Sequence, residues 1–183
     1  MRYAETGYFL EVDLSTGKVE KVESDPRWTE LFLGGLGTNA RLIWDRVPPE
    51  VEPFSEENVL VIGAGLLVGT PVIGANRLIV SSVSPVTDLF VFSMAGGFFA
   101  PELKHAGYDK IVIRGRAPKP VYLWIHNDHV EIRDASHLRG KGTLETIEIL
   151  RQELNEPRAQ GIAIGPAGEN RVYFASIETT RGS

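Results

Sequence analysis

Two short segments carry the residues best suited to binding chemistry. Gly74-Ala75-Asn76-Arg77 stands just ahead of a strand-like run, and Ser93-Met94-Ala95-Gly96-Gly97 lies between a second such run and a helix. Glycines let backbone N–H groups approach an anion closely, a helix start favours negative charge, and an arginine can fork onto phosphate oxygens. These are the means of holding a phosphorylated cofactor. The plainer reading is two tight turns and an arginine at a strand edge. If the two strands pair antiparallel, Arg77 comes to the Ser93–Gly97 turn, because the start of one strand meets the end of the next.

Other motifs offer less. Gly63-Ala64-Gly65-Leu66-Leu67-Val68-Gly69 follows an apolar strand, where a dinucleotide pyrophosphate would sit, but Thr70-Pro71 and Gly74 leave no room for the helix that such a site needs. A strand-turn-strand connection accounts for it. Gly140-Lys141-Gly142-Thr143 lacks the first glycine of a phosphate loop and has Gly after the Lys, so it reads as a turn leading to a Thr cap. Of the four histidines, only His126 and His129 are close, in the polar run of a solvated hairpin turn. Glu102, Lys104 and Asp109 read as exposed charges on and after a short helix. No catalytic acid, base or nucleophile stands out.

These residues need elements to position them. Gly7–Leu14 and Lys18–Val22, joined by Ser15-Thr16-Gly17, predict a hairpin. Asp25 caps a helix with Pro26 at its first position, stopped by Gly34-Gly35, and Thr38 caps a second over Asn39–Arg46, ended by Pro48-Pro49. Strand signals follow at Val59–Ile62, Leu78–Val83, Leu89–Phe92, Lys110–Arg114, Val121–Ile125, His129–Arg133, Ile162–Ile164 and Val172–Ile177. Helices are expected over Phe98–His105 and Thr143–Leu154, the latter with Leu144, Ile147, Leu150 and Leu154 at helical spacing. The order lacks strict βαβ alternation and predicts an α+β fold, sheet-rich, with antiparallel or mixed sheets. Thr179–Ser183 shows no pattern.

Composition bounds the rest. The sequence has 183 residues, 43% apolar and 23% charged, which is enough to bury a core in one domain or two fused halves. With 24 Asp and Glu against 19 Lys and Arg, it has no basic surface for nucleic acid. Met1–Thr6 is no secretory leader, and no apolar run approaches the roughly 20 residues of a membrane span. Without cysteine the segment can hold neither a disulfide nor an iron-sulfur cluster, which fits a cytoplasmic location.

Several ordered motifs together resemble the N-terminal domain of aldehyde ferredoxin oxidoreductases. They are Gly65-Leu66-Leu67-Val68-Gly69-Thr70, Ser84-Pro85, Gly96–Lys104, Ala106-Gly107-Tyr108-Asp109, Glu131–His137 and Ile164–Asn170. The resemblance implies an internally duplicated domain, residues 1–183, forming a sheet-rich base under a tungsten (or molybdenum) ion held by the dithiolene sulfurs of two pyranopterins. Arg77 then matches a pterin-phosphate arginine and Gly96 a glycine of the pterin-binding turn, with Asn76, Ser93, Met94, Ala95 and Gly97 beside them. Met94 stands where aldehyde-oxidising relatives carry Asn, whose main-chain carbonyl binds a Mg ion bridging the pterin phosphates. A 4Fe-4S cluster and the catalytic residues would lie in later domains of a longer, oligomeric enzyme.

The implied activity is oxidation of aldehydes to carboxylates, with electrons passing through the cluster to ferredoxin or other electron-transfer subunits. Met1–Gly7, Trp44–Val51 and Phe92-Ser93-Met94 look closer to one branch, the tungsten subunit of ATP-independent benzoyl-coenzyme A reductases. By itself the chain would be a non-catalytic binding or assembly module.

Overall fold

The computed structural model describes residues 4–180. A hairpin opens the fold, β1 (Tyr8–Asp13) with β2 (Lys18–Glu23), followed by helices α1 (Pro26–Phe32) and α2 (Leu36–Arg46). Strands β3 (Leu60–Ala64), β4 (Leu78–Val83) and β5 (Phe90–Ala95) come next, then α3 (Phe99–His105) and β6 (Lys110–Arg114). These strands form one sheet in the order β2-β1-β6-β3-β4-β5, antiparallel except for the parallel pair β1 and β6. The expected α+β fold with a mixed sheet is observed.

Side chains alternate across this sheet and divide the core. Phe9, Val61 and Val112 pack under α2 with Leu42 and Ile43. Their neighbours Leu10, Ile62, Ala64 and Ile111 point to the other face, where Leu103 and Tyr108 join them. Each such burial contributes about 1.5–3 kcal/mol. Asn39, fully buried on α2, fixes the helix to β4 by donating to Ile79 O at 3.3 Å and Ser81 Oγ at 3.2 Å.

A second hairpin, β7 (Val121–His126) with β8 (His129–Asp134), covers the α3 side of the sheet. Lys21 Nζ reaches Asp128 at 2.8 Å and the Tyr108 hydroxyl donates to Asn127 O at 3.0 Å, tying it to the first hairpin and the sheet. Helix α4 (Thr143–Glu153) then packs on a separate two-stranded ribbon of β9 (Ile162–Ala163) and β10 (Glu178–Thr179), with α5 (Pro166–Glu169) between them. The succession of hairpin, helix and antiparallel strand pair thus occurs twice, with α4 on β9 and β10 as α2 is on β3 and β4.

Several local expectations are corrected. Helix α2 starts at Leu36 with Gly35 as its N-cap, and Thr38 lies buried inside it, its hydroxyl donating to Gly35 O at 3.1 Å. Gly35 has φ 51°, and a Cβ on Gly37 would come within 2.4 Å of Phe32 O, so glycine geometry starts this helix where a hydroxyl cap was expected. Gly142, not Thr143, is the N-cap of α4, with the Glu145 carboxylate accepting from Gly142 N–H at 3.4 Å. Val172–Ile177 is not a strand; the pairing residues are Glu178 and Thr179, while Tyr173 and Phe174 are exposed. Strand β3 extends to Ala64 and β5 to Ala95. The opening Met1-Arg2-Tyr3 and the closing Arg181-Gly182-Ser183 lie outside the described residues.

Candidate functional site

Strands β4 and β5 pair antiparallel with Leu78 opposite Ala95, Ile79 opposite Met94 and Val80 opposite Ser93. Arg77 and Gly96 each lie one step beyond the last pair and therefore meet at the same end of the sheet. A Cβ built on Gly96 would lie 3.9 Å from Arg77 Nη1 and 3.9 Å from Asn76 Oδ1. The guanidinium and the carboxamide thus face an open cradle that any side chain at position 96 would begin to fill. Arg77 and Asn76 are exposed, and Arg77 makes no ion pair among the described residues. Gly96 and Gly97 donate no backbone hydrogen bond to a described residue.

The other expected residues follow from the ladder. Met94 shares the α2 side of β5 with Phe90 and Phe92, Ser93 lies on the opposite side, and both are exposed; Ala95 and Gly97 are half-buried. Gly97 has φ 117°, which restricts the position to glycine. Its missing Cβ would lie 3.6 Å from Thr180 O and 3.9 Å from Thr179 Oγ1. That the end of the second half lies against this turn is not legible in the sequence, because Thr179 and Thr180 form no periodic pattern.

Behind the cradle lies a buried polar group that corrects the reading of Lys104 and Asp109 as exposed charges. Their exposures are 8% and 6%, and Lys104 Nζ lies 3.0 Å from Asp109 Oδ1. Lys104 also donates to Ala4 O at 2.7 Å and Leu66 O at 3.2 Å, while Asp109 accepts from Thr6 N–H and Gly7 N–H at 3.0 and 2.9 Å. Burial pushes the Asp109 carboxyl up, and the Lys104 charge with the Thr6 and Gly7 bonds more than reverses this, leaving it below the usual carboxylate range. The pair ties α3, which follows Gly97, to the loop that leads to Arg77. Only Glu102 is exposed as expected.

Next to it, Lys110 is buried and donates to Thr38 Oγ1 at 2.7 Å. Burial pushes its ammonium down to about 8, with Asp109 opposing and Lys104 adding to the shift.

The segment Gly63 to Gly69 connects β3 to the loop before β4 through turns, and no helix starts at Gly65. A Cβ on Gly63 would lie 2.6 Å from Asn39 Oδ1, so this glycine serves helix-to-sheet packing. His126 and His129 pair across a two-residue turn with Asn127 at φ 55°, the expected hairpin. No group of three or more His, Cys, Asp or Glu is placed to hold a metal among the described residues. A groove of about 1180 Å³ is bordered by Trp44, Val47, Pro53, Val83 and Tyr173, at the end of β4 remote from Arg77.

Residues 9–183 match the family model described as aldehyde ferredoxin oxidoreductase, N-terminal domain. The chain belongs to this family. Across 96% of its length it is 43% identical to the tungsten-containing aldehyde ferredoxin oxidoreductase of Pyrococcus furiosus, of which it covers 29%. It is 40% identical, over 97% of its length, to the WOR-like subunit of an aliphatic sulfonate oxidoreductase of the same organism, of which it covers 30%. A solved structure, the active site complex BamBC of benzoyl coenzyme A reductase with 1,5 dienoyl-CoA, superimposes with a TM-score of 0.97 at 70% identity. That match takes in 99% of this chain and 28% of the other. The family's relatives named here are oxidoreductases, and among the described residues no helix is long and apolar enough to cross a membrane.

Proposed function

We propose that residues 1–183 are the tungsten-pterin-binding domain of a longer enzyme that reduces the ring of an aromatic acyl-coenzyme A thioester. The observation that carries this reading is the 70% identity to a chain of the benzoyl coenzyme A reductase complex, against 43% to the aldehyde enzyme. The Phe92-Ser93-Met94 run, which resembles that branch, points the same way.

The residues fit the cofactor. The free guanidinium of Arg77 can fork onto phosphate oxygens, the Asn76 carboxamide adds a donor, and the open Gly96-Gly97 backbone lets the pterin phosphates approach. Ser93 and Ala95 belong to the end of β5 that leads into this turn, and the Met94 carbonyl would be the group to hold a Mg ion. With no cysteine in the chain, the metal's sulfur ligands would come from the pterins. When bound, this group supplies the two-electron redox chemistry. Ring reduction takes two electrons and two protons per thioester, and the electrons would arrive through a 4Fe-4S cluster and partner subunits bound by the later segments.

The test is turnover by the longer enzyme with a viologen dye. Interconversion of benzoyl- and dienoyl-coenzyme A is the expected result. Aldehyde oxidation without thioester turnover would replace this reading with the aldehyde one.

A further inference from the structure

We propose that Lys110, buried beneath the first turn of α2, is a positioning residue whose charge helps to hold the anionic cofactor at the Arg77–Gly96 face without touching it. This role rests on the reading of that face as the seat of the pterin phosphates.

Lys110 is 6% exposed, and its hydrogen bond among the described residues goes to an uncharged group, Thr38 Oγ1, at 2.7 Å. Its neighbour Asp109 is fully occupied elsewhere. That carboxylate accepts from Lys104 Nζ, from the Thr6 N–H and hydroxyl, and from Gly7 N–H. Two buried ammoniums thus share one buried carboxylate, and half-buried Glu5, ahead of β1, is the other acid whose charge acts on Lys110. Strands β3 and β4 carry no titratable residue, and the buried residues of α2 are Thr38, Asn39, Leu42 and Ile43. A buried ammonium without a carboxylate in contact costs folding free energy, and groups so perturbed gather at binding and catalytic sites.

The ladder puts this charge under the candidate site. Lys110 stands opposite Gly63, Gly63 opposite Ile79 and Ile79 opposite Met94, two residues before Gly96. Gly65 N–H donates to Arg77 O at 3.3 Å, which extends the β3–β4 pairing by one step and sets Arg77 on the side of Ile79. That is the α2 side. A Cβ on Gly35 would come within 2.8 Å of Ile79 Cδ1 and 3.4 Å of Gly65 Cα, and Gly35 caps α2 without a side-chain hydrogen bond. The positive end of the helix dipole and the Lys110 ammonium therefore converge on the end of the sheet that holds Arg77. Among the described residues no carboxylate bonds to either. Two strand spacings, about 10 Å, separate β6 from β4. At an effective dielectric constant of about 20, a unit charge at this distance changes the affinity for an anion by roughly tenfold.

A pH dependence follows from the same geometry. Burial pushes the Lys110 ammonium down to about 8 in the free site, and an anion bound nearby raises it. Retention of the cofactor is then full below about pH 8 and declines as pH climbs through the bound-state value, roughly one unit higher for a tenfold effect. Above that value Lys110 is neutral whether or not the cofactor is present.

The test follows tungsten release from the loaded longer enzyme during dialysis at about pH 7 and about pH 10, for wild type, Lys110→Met and Lys110→Gln. Wild type should release tungsten roughly tenfold faster at the higher pH. Both variants should release it at one rate, close to the faster wild-type rate, at either pH. Lys110→Gln keeps a donor for Thr38 and loses the charge, so it separates the charge from the hydrogen bond. Thermal unfolding of the cofactor-free proteins checks that the variants fold, and Lys110→Gln decides alone if Lys110→Met does not. Slow, wild-type release from a folded variant at pH 7 overturns the role of Lys110, as does a wild-type pH step that persists in the variants. Either result, in an enzyme that holds tungsten and turns over thioesters, leaves the proposed function standing. Aldehyde oxidation with the expected release rates replaces the proposed reaction and leaves Lys110 in its role, whereas a longer enzyme without tungsten and pterin overturns both.

Discussion

Arg77 is placed by two neighbours in the ladder, and its side chain owes nothing to the core, so its loss should be read in binding and hardly in folding. A charge-assisted contact of this kind contributes about 1.5–3 kcal/mol. In the longer enzyme, Arg77→Ala is expected to lower tungsten and pterin content about tenfold or more, while Arg77→Lys restores only part because it keeps the charge and loses the fork. Elemental analysis beside thermal unfolding of the cofactor-free proteins separates the two effects. Unchanged tungsten in the Ala variant would remove Arg77 from the site.

Asp109 behaves oppositely. Asp109→Asn strands the Lys104 charge in the core and should cost about 3–5 kcal/mol at pH 7. Because the folded carboxyl titrates below its unfolded value near 3.9, its stabilisation is present above that pH and lost as pH falls through the folded pKa. The gap between wild type and Asn variant in urea unfolding should therefore narrow below about pH 4. Lys110 has the same sign at higher pH, because its folded pKa is also lowered. With its folded pKa near 8 against 10.5, the unfolded chain binds more protons between these values. Stability should therefore rise across that window by up to about 3 kcal/mol in wild type relative to Lys110→Met, and a flat difference would show that the ammonium is better solvated than the structure shows.

At the scale of elements, the two edges of the main sheet differ in a way the sequence prints openly. Strand β2, Lys-Val-Glu-Lys-Val-Glu, carries four charges in six residues, and β5, Phe-Val-Phe-Ser-Met-Ala, carries none. Charged edges resist pairing with foreign strands, whereas an apolar one invites it. Phe90, Phe92 and Met94 stand on one side of β5, beyond the reach of α2, and are 41–47% exposed. The 183-residue chain should accordingly associate with rising concentration in sedimentation velocity, and Phe92→Lys should keep it monomeric at a cost below about 1 kcal/mol. Association that persists in the Lys variant would place the contact elsewhere.

The same strands show what was legible. Apolar runs ending in glycine or proline located β4 and β6 to the residue, and the antiparallel reading of β4 and β5 brought Arg77 to Gly96, because strand period and turn chemistry are local properties. The buried pair of Lys104 and Asp109 was not legible. A charge five residues after another on a short helix looks solvated until the N-terminal segment, far away in sequence, is seen to close over it. Thr38 was misread for a related reason. A hydroxyl near a helix start suggests a cap, and only the tertiary contact with Lys110 shows it facing inward. Val172–Ile177 has strand composition without a neighbour to pair with, since the two-residue β9 is taken up by Glu178 and Thr179.

For the whole molecule the question is how much of the cofactor's enclosure one domain supplies. The chain spans 28% of the benzoyl coenzyme A reductase chain and 29% of the Pyrococcus furiosus relative. Its candidate site is a single open face: one arginine, one carboxamide and a glycine turn, all where β4 begins and β5 ends. A charge-assisted contact contributes about 1.5–3 kcal/mol, whereas even millimolar affinity requires about 4 kcal/mol. Arg77 and a few backbone contacts therefore leave the isolated chain near or below millimolar binding, far short of retaining a cofactor through purification. Two closed apolar clusters, on the other hand, give the same chain a core that does not depend on the metal. The expected outcome is a folded, cooperatively melting 183-residue protein with tungsten and molybdenum below about 0.1 per chain, beside a longer enzyme that holds about one. Near-stoichiometric metal in the short protein, measured by elemental analysis after extensive dialysis, would show that this face alone encloses the cofactor and that Arg77 and Gly96 are only part of its grip.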